Sequence, residues 1–500
     1  MLSDWPERLA AIEPEVAALR RAVAAAGRHE FRRWRAQIER RKFAVSALNL
    51  AHYLELRQAD LRPLQRRLMA LGLSSLGRAE GRVLAALDAV LAAIQSAEGH
   101  ALTAAPPSER QFFRGERRLA KNADEAFGPP PKGRSGRIMV TLATDAADDP
   151  AIIRDLVKRG ADLVRINCAH DGPAAWARMI ANARAASPRL RVLMDIAGPK
   201  VRTGKVHAGE KERVSVGDRI LLAQSIDPSA ADAPFQCAVS LPTVLARLKI
   251  GQAVLIDDGA IRGEIVARTP PGVVVRVDAA AAKGVKLKPE KGLLFPGVDL
   301  GLSPLTDKDR RVLDFVAPNA DLIGYSFVQS ATHVALLQDE LRRRRSDWRR
   351  VALVAKIETS TAVANLPEII VAAAGGQPLA VMIARGDLAM ELGFERLAEM
   401  QEEILWLCEA AHVPAIWATD VLSGLVSTGL PSRGEMTDAA MAARAECVML
   451  NKGANIGEGV ATLDRLMRRM AGHQVKKTPT LRALTSWKLA GAPRTDSRPS

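Results

Sequence analysis

Cysteine is scarce in this 500-residue chain: Cys168, Cys237, Cys408 and Cys447 are scattered, and no two form a C-x-x-C pair. That spacing argues against a zinc ribbon or a disulfide framework and fits a reducing cytoplasm. Long apolar runs are also missing. None reaches the ~18 residues that a membrane-crossing helix needs, so no membrane span is expected. The start, Met1 to Arg20, alternates charges with Leu and Ala and lacks the apolar centre of a secretory signal. Acidic charge is in deficit, with a formal net charge of +15, yet the excess is local. Residues 1–135 carry 23 Lys/Arg against 15 Asp/Glu, residues 473–500 carry six against one, and the 337 residues between them are left with +2. A charge confined to the two ends reads as solvated surface or docking segments, and no specific nucleic-acid partner is expected.

The hydrophobic share of 48% and charged share of 25% are those of an ordinary globular chain, and the length calls for more than one domain. Leu9, Ile12, Val16, Leu19 and Val23 recur at steps of three and four. So do Leu61, Leu64, Leu68 and Leu71, and Val83, Leu87, Val90 and Ile94, with a turn at Gly72 to Gly77 between the last two stripes. Each stripe is one apolar helix face that needs a partner, which predicts a small antiparallel bundle over residues 1–105. Residues 106–136, with Pro106-Pro107, a basic run at Arg114 to Arg118 and Pro129-Pro130-Pro131, read as a linker.

From Arg137 onward, short β-rich runs alternate with helical stretches. The runs are 138–142, 163–168, 192–196, 322–327, 351–357, 379–384, 415–418 and 447–450, and several are apolar nearly throughout, as strands covered on both faces must be. Eight β–α units in a row predict an α/β fold, a closed (β/α)₈ TIM barrel over 137–204 and 291–472. Residues 205–290 interrupt it with short alternating strands and turns such as Asp257-Asp258-Gly259, an inserted small β-rich domain. Residues 473–500 read as a flexible basic tail.

A barrel of this kind carries its site at the C-terminal ends of its strands. Ionisable residues gather there: Arg165 to Asn167 on the second strand, Asp195 on the third, Lys356 and Glu358 on the fifth, Arg385-Gly386-Asp387 after the sixth and Thr419 after the seventh. Glu358 and Asp387 are hard oxygen ligands suited to Mg²⁺ or Mn²⁺. Lys356, two residues before Glu358, points to the same side of its strand. A cation beside a metal suits a phosphoryl group or an enolate. Arg165 can fork onto phosphate oxygens, and a helix opening at Arg385 would offer free N–H groups to a carboxylate.

The runs "KIE", "IARGDLAMEL", "LVRINCAH", "DIAGPKVRTG", "IDDGAIRGEI", "FPGVDL", "WATDVL" and "PSRGEMTDAA" stand in one order over about residues 137–470. In this they resemble the pyruvate kinase family, whose lid domain the insertion is similar to. The resemblance implies the reaction of phosphoenolpyruvate and ADP to pyruvate and ATP. It implies that Lys356 stabilises the transferring phosphoryl group and the enolate, that Glu358 and Asp387 hold the divalent metal, and that the Ala384–Asp387 backbone holds the substrate carboxylate. Thr419 would serve the relay that protonates the enolate carbon. Arg165, Asn167, His170 and Arg202 would meet phosphates or nucleotide, and Ser326 and Phe327 would line the pocket.

The departures matter as much. Of the family's potassium ligands Asn167 and Asp195 remain, while Ala169 and Ile196 replace a Ser and a Thr, and Lys200 stands where potassium-dependent members carry Glu. The ammonium of Lys200 would supply the missing charge, so potassium is expected not to be required. Thr141–Ala146, Ile196-Ala197 and Asn451–Asn455 also depart from the family's pattern, on the nucleotide side. That leaves two alternatives open: a metal-dependent lyase or aldolase of a pyruvate-type enolate, and a non-catalytic ligand-binding scaffold. The family's C-terminal domain, with its effector site, is expected to be absent after about Gly472. A homo-oligomer is expected, with the helical extension as a subunit contact.

Overall fold

The computed structural model describes residues 4–208, 212–227, 235–476 and 478–479. Eight parallel strands close a barrel: β1 (Arg137–Thr141), β2 (Leu163–Asn167) and β3 (Arg191–Ile196), then, after the inserted sheet, β11 (Leu322–Tyr325), β12 (Ala352–Ile357), β13 (Leu379–Ala384), β14 (Ala415–Ala418) and β15 (Cys447–Leu450). Every one of the eight expected runs is a barrel strand. Their residues are buried almost throughout because helices cover the outside and side chains fill the inside.

The inserted sheet has seven strands: β4 (Thr203–Ala208), β5 (Arg219–Ala223), β6 (Phe235–Val239), β7 (Ala253–Ile256), β8 (Ile261–Thr269), β9 (Gly272–Ala280) and β10 (Leu293–Leu294). It encloses its own core, from Val201 and Val214 to Phe295. The sheet spans residues 203–294, a little wider than the expected 205–290, because β4 and β10 carry the pairing into both connections to the barrel.

The extension folds as α1 (Asp4–Trp34), α2 (Ala44–Leu56), α3 (Arg62–Ala70) and α4 (Val83–Glu98), with the expected stripes turned inward. It is not separate from the barrel, since Leu9, Leu50 and Ile94 belong to one continuous apolar cluster with Ile369, Ile404 and Val448. Polar ties reinforce the join. Arg40 Nη1 donates to the carbonyl of Gln377 (2.5 Å), and Asn49 Nδ2 donates to that of Ala410 (2.8 Å).

The linker expectation fails. Residues 106–136 contain α5 (Glu109–Phe112), with a Ser108/Gln111 capping box, and α6 (Arg114–Phe127). Gly115, Leu119, Ala123, Ala126 and Phe127 line one face of α6, and the last three pack with Met139, Leu163, Leu193, Leu322 and Cys447 inside the barrel. This helix is the barrel's floor. Its mostly small buried residues, set among Arg and Lys, gave no strong apolar stripe. The expected flexible tail falls mostly outside the described residues; the part described pairs Gln474–Val475 with Thr478–Pro479. Among the described residues no helix is long and apolar enough to cross a membrane.

Candidate active site

The barrel mouth is built by period-two geometry on β12. Lys356 and Glu358 stand two residues apart and meet, Nζ to Oε1, at 3.0 Å. Lys356 Nζ also lies 3.4 Å from Asp195 Oδ2 and donates to Ser326 Oγ at 2.7 Å; that hydroxyl in turn donates to the carbonyl of Ile196 (2.8 Å). Three strand ends, those of β3, β11 and β12, thus converge on one ammonium. Burial works against its charge, but the carboxylates of Asp195 and Glu358 outweigh it and hold the Lys356 pKa above its ordinary value. For Asp195, burial would raise the carboxyl pKa, and the Lys356 and Arg165 charges override it to lower it. Gly324, on β11, makes room: a Cβ there would sit 2.5 Å from Asp195 Oδ1.

Glu358 is different. Burial raises its pKa, the nearby Asp387 carboxylate raises it further, and Lys356 only partly opposes them. Its Oε2 accepts the Phe327 backbone N–H at 2.6 Å. Phe327 holds φ +56°, a left-handed backbone uncommon outside glycine, as do Thr419 (φ +70°), Asp420 (+57°) and Leu422 (+52°) on the same rim. Strain gathered at a barrel mouth is the pattern of a site whose geometry is set by function.

Arg385 opens a helix, Arg385–Leu392, at the end of β13, so Ala384 to Asp387 supply its free first-turn N–H groups. The Arg385 side chain is occupied elsewhere: it lies 4.8 Å from the Trp417 ring centroid, donates from Nε to the carbonyl of Ala418 (3.0 Å) and pairs with Asp438. It holds the turn; the backbone is what faces the site. A Cβ at Gly386 would lie 2.8 Å from Thr419 Cγ2, so the glycine lets the Thr419 side chain keep its place.

The other expected residues divide. Lys200 Nζ contacts Asp387 Oδ1 at 2.7 Å, which brings the barrel–lid connection onto the metal-ligand candidate. Arg165 is in place, but its fork rests on Asp195 (Nη2 to Oδ2, 2.6 Å) and Thr141. Asn167 is partly buried, and its Oδ1 accepts the Ala169 N–H (3.1 Å). His170 is exposed, and its carbonyl accepts the Trp176 indole N–H (3.0 Å). Arg202 is not brought to the cluster: it sits at the lid's neck, with Nη1 on the carbonyl of Glu290 (3.1 Å). Between barrel and lid runs a cleft lined by Lys200, Asp258, Phe327, Thr359, Asp387 and Glu391. Glu391 was not singled out from the sequence. It stands one helical turn after Asp387, accepts Ser360 Oγ–H (2.6 Å) and reaches the lid-side Gly297 N–H (3.2 Å). The i, i+4 spacing was the available signal.

Residues 133–459 match the family model described as pyruvate kinase, barrel domain. The chain belongs to the pyruvate kinase family. It is 31% identical over 349 residues to a pyruvate kinase of Aeropyrum pernix, covering 68% of this chain and 71% of the relative. It is 31% identical over 355 residues to one of Agrobacterium vitis, covering 68% and 70%. A solved pyruvate kinase of Cryptosporidium parvum superposes with a TM-score of 0.60 at 24% identity, over 69% of this chain and 72% of that one, which shows the shared fold. The pyruvate kinase match begins within the last residues before β1, so α1 to α6 lie outside it.

Proposed function

We propose that the chain transfers the phosphoryl group of phosphoenolpyruvate to ADP, giving pyruvate and ATP, with a divalent metal and without potassium. The single observation that carries this is the convergence of Lys356, Glu358, Asp195 and Ser326 beneath the lid, with Asp387 beside Glu358. A carboxylate at Asp387 near enough to raise the Glu358 pKa makes a pair that fits a divalent cation, and Glu358 and Asp387 are the residues that would hold it. When bound, Mg²⁺ or Mn²⁺ supplies charge neutralisation to phosphate and enolate oxygens.

The chain's own residues do the rest. Lys356, kept cationic, lies where charge develops on the bridging oxygen as the P–O bond breaks. The first-turn N–H groups after Ala384 orient the substrate carboxylate. Thr419, close to Gly386, would serve the relay that protonates the enolate carbon. Arg165 is preorganised by Asp195 and turns its remaining donors to phosphate. Lys200, held on Asp387, supplies a fixed positive charge in place of potassium, for which the family's ligands are incomplete in this chain.

The test is pyruvate formation from phosphoenolpyruvate and Mg²⁺, with and without ADP and potassium, beside Lys356→Met. ADP-dependent turnover that ignores potassium and is lost in the variant supports the reading. Binding of phosphoenolpyruvate without ADP-dependent turnover overturns it and favours the lyase or scaffold.

A further inference from the structure

On α6, Arg114, Arg117, Arg118 and Lys121 stand at i, i+3, i+4 and i+7, on the face opposite the one that floors the barrel. With Arg110 and Lys42 they line a groove of about 660 Å³ that no carboxylate lines. Lys42 is paired, at 2.7 Å, with Glu125. The other five make no ion pair among the described residues.

This arrangement is costly to the protein by itself. Like charges three and four apart destabilise a helix. Arg114 and Arg117 lie in the first turn, where the helix dipole disfavours cations. Arg118 Nε is buried without an acceptor among the described residues, although its Nη1 is anchored on the Lys42 carbonyl at 3.0 Å. Burial, with Arg114 adding to it, also lowers the pKa of Arg118. A multiply charged anion would reverse the like-charge and dipole costs at once, and the helix N-terminus would add to its attraction. A plain solvated face is convex and pairs its charges with water; this one is concave, of small-ligand size, and crowds its cations.

The basic face is also short. It is bounded by Glu109 on one side and by Asp124 and Glu125 on the other, about 10 Å of helix from Arg114 to Lys121. A nucleic acid or a membrane surface would run onto those carboxylates, whereas a few linked phosphates would not. We propose that this groove binds a small anion carrying two or three linked phosphates, at a site separate from the barrel mouth.

Inorganic tripolyphosphate is the probe, added to the intact chain at low salt and followed by hydrogen exchange and calorimetry. The expected result is protection of residues 108–122 that orthophosphate does not give. In Arg114→Ala/Arg117→Ala that protection should need about tenfold more probe, with phosphoenolpyruvate turnover unchanged. Lys121→Ala, at an exposed position, should weaken binding in the same direction and guards against a folding defect in the double variant. Protection confined to the barrel mouth, or protection at 108–122 that neither variant alters, would overturn the proposal. So would tighter protection of this segment by a single-stranded oligonucleotide or by anionic phospholipid vesicles.

Discussion

At the residue scale, the site turns on one buried ammonium and the carboxylates that keep it charged. Lys356→Met keeps the length of the side chain but leaves Asp195 and Glu358 without their shared cation. The expected outcome is a loss in kcat of about 10²–10³-fold, with phosphoenolpyruvate still bound, measured by steady-state kinetics and by direct titration. Lys200 makes a sharper claim. If its ammonium stands in for potassium, Lys200→Met lowers turnover by at least about tenfold and added potassium chloride does not restore it, because Ala169 and Ile196 offer no hydroxyl to complete the cation's shell. Activity that recovers with potassium would show the site to be intact and Lys200 to be a bystander. Most of these residues were legible in the sequence, since a strand end in a barrel is a fixed address. What was not legible was their partnership: Asp195 read as a remnant of a cation site, and only the packing of β3 against β2 and β11 makes it the counter-ion of both Arg165 and Lys356.

At the scale of elements, α6 decides how the extension meets the barrel. Gly115 lies so close to the neighbouring backbone that a Cβ would meet the Gly81 carbonyl oxygen at 1.9 Å and His412 Nε2 at 2.6 Å. The backbone on the other side cannot yield cheaply, so Gly115→Ala should destabilise the protein by about 1–3 kcal/mol. A lower denaturation midpoint with unchanged kcat in the folded fraction is the expected measurement. The eight barrel strands were readable because apolar runs between turn residues have one good use in an α/β chain. The helix α6 was not, because flanking prolines and a run of arginines resemble a linker, and its role depends on a barrel floor far away in sequence. The helix α2 likewise offered no stripe: it is apolar nearly all round, packed between α1, α4 and barrel helices.

At the scale of the whole molecule, the junction between extension and barrel carries a pH dependence. His412 is 3% exposed, donates from Nε2 to the Gly81 carbonyl, accepts the Ser46 hydroxyl at Nδ1, and is driven by burial to a pKa of about 4. Inside the extension, where it lies close to Gly27 of α1, burial, with Arg28 and Arg20 adding to it, takes His52 to about 4 as well. A histidine whose folded pKa lies below its unfolded value binds its proton more readily in the unfolded chain, so stability falls as pH drops from about 6.5 towards 4 and is level above that window. At about 1.4 kcal/mol per unit, His412 alone is worth roughly 3 kcal/mol across it. Denaturant melts at pH 7 and pH 5 should show that fall, and His412→Gln should reduce it by about half, the His52 share remaining; an equal slope in the variant would place the dependence elsewhere. The same junction changes what removal of the extension means. If the extension is a subunit contact, deleting residues 1–130 lowers the oligomeric state, but it also strips Ala123, Ala126 and Phe127 from the barrel floor and uncovers the apolar faces around Ile369 and Ile404. The expected product is an insoluble or unfolded chain. A soluble, folded 131–500 fragment, judged by circular dichroism and a cooperative melt, would show that the barrel closes its own floor and that α6 is an addition to a complete domain.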